Sequence, residues 1–281
     1  MLQAEGNDFK EIDARQLVAH LDAAGIRRGV VLSVAYMYGS PSRTVTDELA
    51  KVRAENDWTA AQVALYPDRL VGFCSVNPLK DYALGEIERC AGIRNLRTGL
   101  KLHFGNSDVQ LENPEHLAKM QAVFRAANEH RMAMAIHMRA SFRNKRAYGA
   151  DQARIFLEQL LPLAKDVPVQ VAHLAASGPY YDDPPGDAAM AFLAEAVARG
   201  DARTRNLWFD ASGIARVDMP VDQAERMVRR IRQVGVKRVL YGSDAATPGN
   251  LPREAWEGFK HLPLTEAELG QIRKNIAPYQ R

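Results

Sequence analysis

The sequence predicts an α/β fold of the TIM (β/α)8 barrel type, and three observations predict it. Seven short apolar runs recur along the chain, and each is followed by a stretch of helical period. Their starts are 41, 29, 33, 35, 39 and 32 residues apart, and one βα unit takes about 30 residues or more. The runs are apolar along most of their length rather than alternating, as in Val30-Val31-Leu32 and Val169-Gln170-Val171-Ala172. That pattern suits parallel strands covered by helices on both faces.

The chain enters on a helix over 13–24, where Leu17, Leu21 and Ala24 share a face. Gly25 stands where a capping glycine would precede the first strand, and Gly235 repeats that arrangement before the last. Strands are expected at 29–38, 70–77, 99–104, 132–139, 167–175, 206–212 and 238–244. Pro114 suits the first turn of the helix whose apolar face is Leu117, Met120, Val123, Phe124 and Ala127. The chain shows no linker, low-complexity tract or shift of composition, so 1–281 reads as a single barrel domain. Seven units at this spacing point to a barrel of eight. The unit expected to be lacking is the first strand, because 1–12 carries no strand pattern. Open edges at 29–38 and 238–244 could then pair with a second copy, which makes a homo-oligomer an expectation. A doubly wound open sheet is the alternative, but no Gly-x-Gly-x-x-Gly follows any strand.

Composition narrows the function classes. Of 281 residues, 47% are hydrophobic and 25% charged, which excludes disordered, collagen-like and disulfide-scaffold chains. Lys and Arg number 37 against 34 Asp and Glu, a net charge of +3, and no basic run marks a nucleic-acid groove. Cys74 and Cys90 read as small apolar residues rather than a bridge. No apolar run reaches the roughly 18 residues of a membrane span. The N-terminus lacks a positive-then-apolar leader pattern, so the expectation is a soluble, by default cytoplasmic, protein. A leader upstream of the absent strand stays open.

In parallel α/β folds chemistry collects at the C-terminal ends of strands. The polar residues there are Lys101 and His103 in GLKLHF, His137 in MAMAIHMR, His173 in VQVAHLA, Asp210 in LWFDAS and Asp244 in VLYGSDA. Singly, His137 and His173 read as buried histidines bonded to backbone, and Asp244 as a helix cap. Together, nitrogen and carboxylate donors converging from separate strands suit a divalent ion, zinc foremost and manganese next. Such an ion lowers the pKa of bound water, and a nearby carboxylate or imidazole moves the proton. His20, His116 and His130 fall in helical stretches, His261 lies near the C-terminal helix, and all four read as surface or satisfied polar residues. Arg139, with Arg143, Lys145 and Arg146 behind it, is a candidate for holding a substrate carboxylate. Tyr180 lies in a rigid loop, 178–186, that would wall the pocket, and Tyr36, Met37 and Tyr38 would line it.

The ordered pieces resemble the amidohydrolase-related family of metal-dependent hydrolases, which includes aromatic-acid decarboxylases and lactone hydrolases. The resembling stretches are Asn56-Asp57, Tyr66-Pro67-Asp68-Arg69-Leu70-Val71-Gly72, Val76-Asn77-Pro78, Gly99-Leu100-Lys101-Leu102-His103, Ile136-His137, Val171-Ala172-His173-Leu174, Gly242-Ser243-Asp244 and Asn275. The resemblance implies that His137 is a metal ligand. It implies that His173 is a second ligand or an acid–base group, and that Asp244 binds metal and shuttles a proton. Lys101 or His103 would supply a further contact to metal or substrate. The family's first strand carries a His-x-His pair, and this sequence has none. The expectation is therefore a chain that starts after that strand, with a degenerate barrel as the competing explanation. The implied function is hydrolysis of an amide, lactone or other ester of a small, anionic substrate by metal-activated water. Non-oxidative decarboxylation is the nearest alternative. A Schiff-base aldolase using Lys101 and a non-catalytic ligand-binding barrel are the other classes weighed.

Overall fold

The computed structural model describes residues 12–245 and 250–280. Asp13 starts helix α1 (Ala14–Ala23). Its carboxylate accepts the Gln16 N–H, and the Gln16 side chain accepts the Asp13 N–H in return. All seven expected strands form, each shorter than its apolar run: β1 (Gly29–Leu32), β2 (Leu70–Ser75), β3 (Gly99–His103), β4 (Ala133–His137), β5 (Val169–Val171), β6 (Leu207–Asp210) and β7 (Val239–Leu240). They pair in parallel in the sequential order β1 to β7, giving one curled sheet. The sheet and its helices match a TIM-type architecture. The expectation about a first strand falls on residues 1–12, of which 1–11 lie outside the described residues.

The connections are α2 (Glu48–Ala64), α3 (Ala83–Ala91), α4 (Phe104–Ser107), α5 (Pro114–Glu129), α6 (Ala150–Ile155), α7 (Pro184–Ala198), α8 (Val221–Val234), α9 (Pro252–Lys260) and α10 (Glu266–Lys274). Pro114 opens α5 as the sequence predicts, with the Asn113 side chain accepting from Glu115 N–H and His116 N–H. The main core lies between sheet and helices, where Leu100, Leu102, Met134, Ile136 and Phe209 meet Phe124, Phe156 and Met190. Burying each such side chain is worth about 1.5–3 kcal/mol. No helix among the described residues is long and apolar enough to cross a membrane.

The inner face of the sheet is narrower and is filled differently. Val71, Phe73, Ala133 and Ala135 cluster there with Val30, Leu32 and Tyr279. Gly99 makes room for Phe73, since a Cβ at residue 99 would sit 2.4 Å from the phenyl ring. The Tyr279 ring packs edge-on against Phe73, with centroids 5.0 Å apart. The lower half of the sheet interior is thus closed by side chains, and chemistry is confined to the upper end.

Two asparagines of the resembling stretches turn out to hold architecture. Asn56, fully buried on α2, donates to Ser75 O and Glu86 Oε1 and accepts from Ser75 N–H. Asn275 donates to Val236 O and Val239 O, tying the end of α10 to β7. Asn56→Ala would leave Ser75 N–H, Ser75 C=O and the buried Glu86 without these partners. Each orphaned group costs about 1–3 kcal/mol, so urea unfolding should show a loss of about 3 kcal/mol.

The cysteine expectation is corrected. Cys74 and Cys90 are joined in a disulfide, with Cα atoms 6.1 Å apart. The outward face of β2 carries Cys74, and α3 lies across it with Cys90 on its buried face. Sixteen residues of sequence separation give no sign of that approach.

Candidate active site

Register builds the upper end of the sheet. Lys101 pairs with Ala135 and His103 with His137, so the two strands present their polar residues side by side. The His103 and His137 rings stack, with centroids 3.9 Å apart and planes 16° apart. His173 stands edge-on to His137 at 5.0 Å, and Tyr36 covers the far side of His103 at 5.0 Å. Lys101 is 7% exposed, and its charge faces Asp210 and Asp244. Four of the sequence-predicted groups, Lys101, His103, His137 and His173, therefore meet at one place.

Each histidine is in a different state. His103 Nδ1 accepts the Asn106 backbone N–H at 3.1 Å. An amide nitrogen can only donate, so the neutral His103 ring carries its proton on Nε2 and presents a donor. Burial, then the charge of Lys101, hold its pKa well below the ordinary histidine value. His137 is depressed likewise, by burial and by the neighbouring His103, His173 and Lys101. His173 is the reverse of His103. Its Nδ1 lies 2.7 Å from the Ser212 carbonyl, which can only accept, so Nδ1 carries a proton, and in the neutral ring Nε2 keeps the lone pair.

His173 also explains why strand 167–175 stops early. His173, Leu174 and Ala175 have φ of 56°, 48° and 62°. Three consecutive left-handed residues without glycine cost about 1–3 kcal/mol each and persist only where the surroundings over-determine them. Here the His173 N–H donates to Asp210 Oδ1 at 3.0 Å, and Tyr148 Oη donates to Ala175 O at 2.8 Å. Asp210 is 4% exposed. Burial raises its carboxyl pKa, but the neighbouring His173 and the hydrogen bonds from Ser212 and the His173 backbone outweigh burial and hold it low.

Asp244 is exposed at the mouth, with φ of 57°. Gly213 (φ 69°) passes close beneath it, since a Cβ there would lie 3.3 Å from Asp244 Oδ2. The donor atoms of His137, His173 and Asp244 do not all come within 4.8 Å of one another. The histidine pair nonetheless suits an ion. Two imidazoles held at about 2.1 Å from one metal place their ring centroids about 4.6–5.3 Å apart, and this pair is 5.0 Å apart. His173 Nδ1–H bonded to a carbonyl is also the outer-shell arrangement of a ligating histidine. His103, by its tautomer, turns an N–H rather than a lone pair outward at Nε2.

Arg139 and Tyr180 are engaged elsewhere. Arg139 Nε donates to Asp183 Oδ2 at 2.7 Å, with both side chains buried, and its guanidinium lies over Phe142 and Tyr148. Asp183 also caps α7 by accepting the Gly186 N–H. Arg139 thereby fastens the loop after β4 to the start of α7. Tyr180 Oη donates to Asp218 at 2.9 Å, in the loop after β6. Asn106 and Ser212, which set the histidine tautomers, escape sequence reading because they act in part through backbone atoms.

The family profile described as Amidohydrolase matches residues 30–275. Comparison with curated proteins finds no match. Among solved structures, 5-carboxyvanillate decarboxylase from Sphingomonas paucimobilis is 20% identical, covering 94% of this chain and 80% of that one, with a TM-score of 0.62. The 2,6-dihydroxybenzoate decarboxylase from Rhizobium is 17% identical, with coverage of 94% and 85% and a TM-score of 0.60. Dihydroxybenzoic acid decarboxylase from Polaromonas sp. JS666, with bound manganese and the inhibitor 2-nitroresorcinol, is 17% identical, with coverage of 93% and 83% and a TM-score of 0.60. At these identities the likeness establishes the shared fold.

Proposed function

This chain belongs to the amidohydrolase family, and on that premise we propose that it is a metal-dependent enzyme acting on a small carboxylated aromatic substrate. The reaction is non-oxidative decarboxylation: the ring–carboxylate bond breaks, carbon dioxide leaves, and the electron pair left on the ring carbon takes a proton. The observation that carries this reading is the floor of the site. Lys101 is a buried residue whose side chain makes no hydrogen bond or ion pair among the described residues, and His103 beside it presents an Nε2–H. A buried cation and an adjacent donor suit an anionic oxygen of the substrate and can supply a proton.

His137 and His173 would hold the ion, with Asp244 as the third protein ligand. When bound, a divalent ion there supplies Lewis-acid polarisation of a substrate oxygen. Manganese is the metal to try first, because it is the ion named with the Polaromonas decarboxylase. His103 and Lys101 orient the substrate's anionic oxygens. Tyr36, buried and pushed up in pKa by that burial, stays a neutral phenol against His103. Hydrolysis of a carboxylated lactone or amide is the second reading. The exposure of Asp244 at the mouth favours it, since a carboxylate there meets water and can act as base.

The test is a panel of hydroxybenzoates and carboxylated lactones, assayed with manganese-loaded protein. Decarboxylation predicts release of carbon dioxide and, in heavy water, one deuterium at the former carboxyl-bearing carbon. Acid release from a lactone without carbon dioxide would establish the hydrolytic reading instead. Neither signal from any member would contradict both.

A further inference from the structure

Beneath the histidines, a line of hydrogen bonds crosses the inside of the sheet, and the chemistry above leaves it unused. Tyr279, in the 3-10 turn Pro278–Gln280, donates its hydroxyl proton to Gln170 Oε1 on β5. Gln170 Nε2 donates to Asp210 Oδ2 at 2.6 Å. Asp210 Oδ1 accepts from His173 N–H at 3.0 Å, from Ser212 N–H at 3.0 Å and from Ser212 Oγ at 2.6 Å. Ser212 then holds the His173 ring through its carbonyl.

The direction of this line is set by chemistry. A carboxylate only accepts, so Gln170 must turn its nitrogen to Asp210 and its oxygen to Tyr279. Tyr279 must therefore donate. Without that donor only Asp210 still orients the Gln170 amide, whose buried oxygen loses its partner, so the amide is free to swing away from Asp210 Oδ2. The carboxylate that clamps the His173 N–H and orients Ser212 would then lose its own anchor. The clamp matters because the backbone at 173–175 is in the left-handed region and is held there only by its surroundings.

We propose that Tyr279 is a positioning residue for His173, acting through Gln170 and Asp210 to hold the turn at 173–175 and to keep the His173 proton on Nδ1. The proposal rests on the reading that His173 works in the site, but its first test does not depend on turnover. A Tyr279 that merely fills space would act through its ring on Phe73, and Tyr279→Phe keeps that ring while removing the hydroxyl.

The experiment is nitrogen-15 NMR of the histidine side chains in the metal-free protein, read by long-range proton–nitrogen correlation, together with kcat and KM of the manganese-loaded enzyme. The wild-type protein should show His173 as a single Nδ1–H tautomer. Tyr279→Phe should show a mixture of tautomers. Its kcat should fall about tenfold, the scale of one buried hydrogen bond, with KM within about twofold. Gln170→Met should reproduce the change, and the double variant should be no worse than Gln170→Met alone, because both cut one line. A wild-type tautomer in Tyr279→Phe overturns the proposal. Mixed tautomers with unchanged turnover would uphold the positioning and count against the assignment of His173 to the chemistry. Should Tyr279→Phe not fold, Gln170→Met, which leaves the Tyr279 ring on Phe73, decides by the same readout.

Discussion

His137→Ala is expected to lower kcat by about 10³-fold while leaving the fold intact. His137 ends β4 inside the site, with His103 stacked on one face and His173 edge-on to it. Burial and the surrounding cationic and histidine groups keep it neutral, and a neutral imidazole is the form that binds a metal. Removing it takes away one of the two nitrogens that would hold the ion. The Lewis-acid contribution of an ion is worth several kcal/mol, or about 10³-fold in rate. The loss of ring packing against His103 should cost little stability, because the residue is only half-buried at the open end of the sheet. The check is kcat at saturating substrate with added manganese, beside the unfolding midpoint in urea.

The second large effect is expected at Lys101. Lys101→Met should lower kcat/KM for a carboxylated substrate by about 10–100-fold, the scale of a charge-assisted hydrogen bond of about 1.5–3 kcal/mol. Stability should move the other way. The residue is 7% exposed, and desolvation by burial lowers its pKa against the pull of Asp244 and Asp210. A methionine of similar length removes that desolvation cost, so the melting temperature should stay the same or rise. Loss of activity with unchanged or greater stability is the signature of a residue retained for function. A neutral analogue of the substrate should lose little of its affinity on the same substitution.

Much of the fold was legible because the strands are written in continuous apolar runs. Val30-Val31-Leu32 and Val169-Gln170-Val171 read as two-sided buried strands, and both lie in the parallel sheet. The strand-end rule then located Lys101, His103, His137 and His173, which the structure brings together. Ligand and substrate roles within that cluster were not legible, because they depend on tautomers set by the Asn106 amide and the Ser212 carbonyl. A backbone acceptor leaves no mark in a sequence. Arg139 looked available because its partner Asp183 lies 44 residues on, at the cap of a helix that the sequence does not place beside it. The Cys74–Cys90 pair was hidden for a similar reason, since nothing local indicates that α3 crosses β2 at that point. Tyr279 was hidden by distance along the chain, although it reaches the floor of the site through Gln170.

The proposed chemistry requires that His137 and His173 hold a divalent ion. The most direct measurement is a manganese titration followed by the electron paramagnetic resonance of the free ion, on wild-type protein and on His137→Ala. Saturable binding near one ion per wild-type chain, lost in the variant, is the expected result. Manganese that stays free with the wild-type protein, or that binds equally to both, would contradict it.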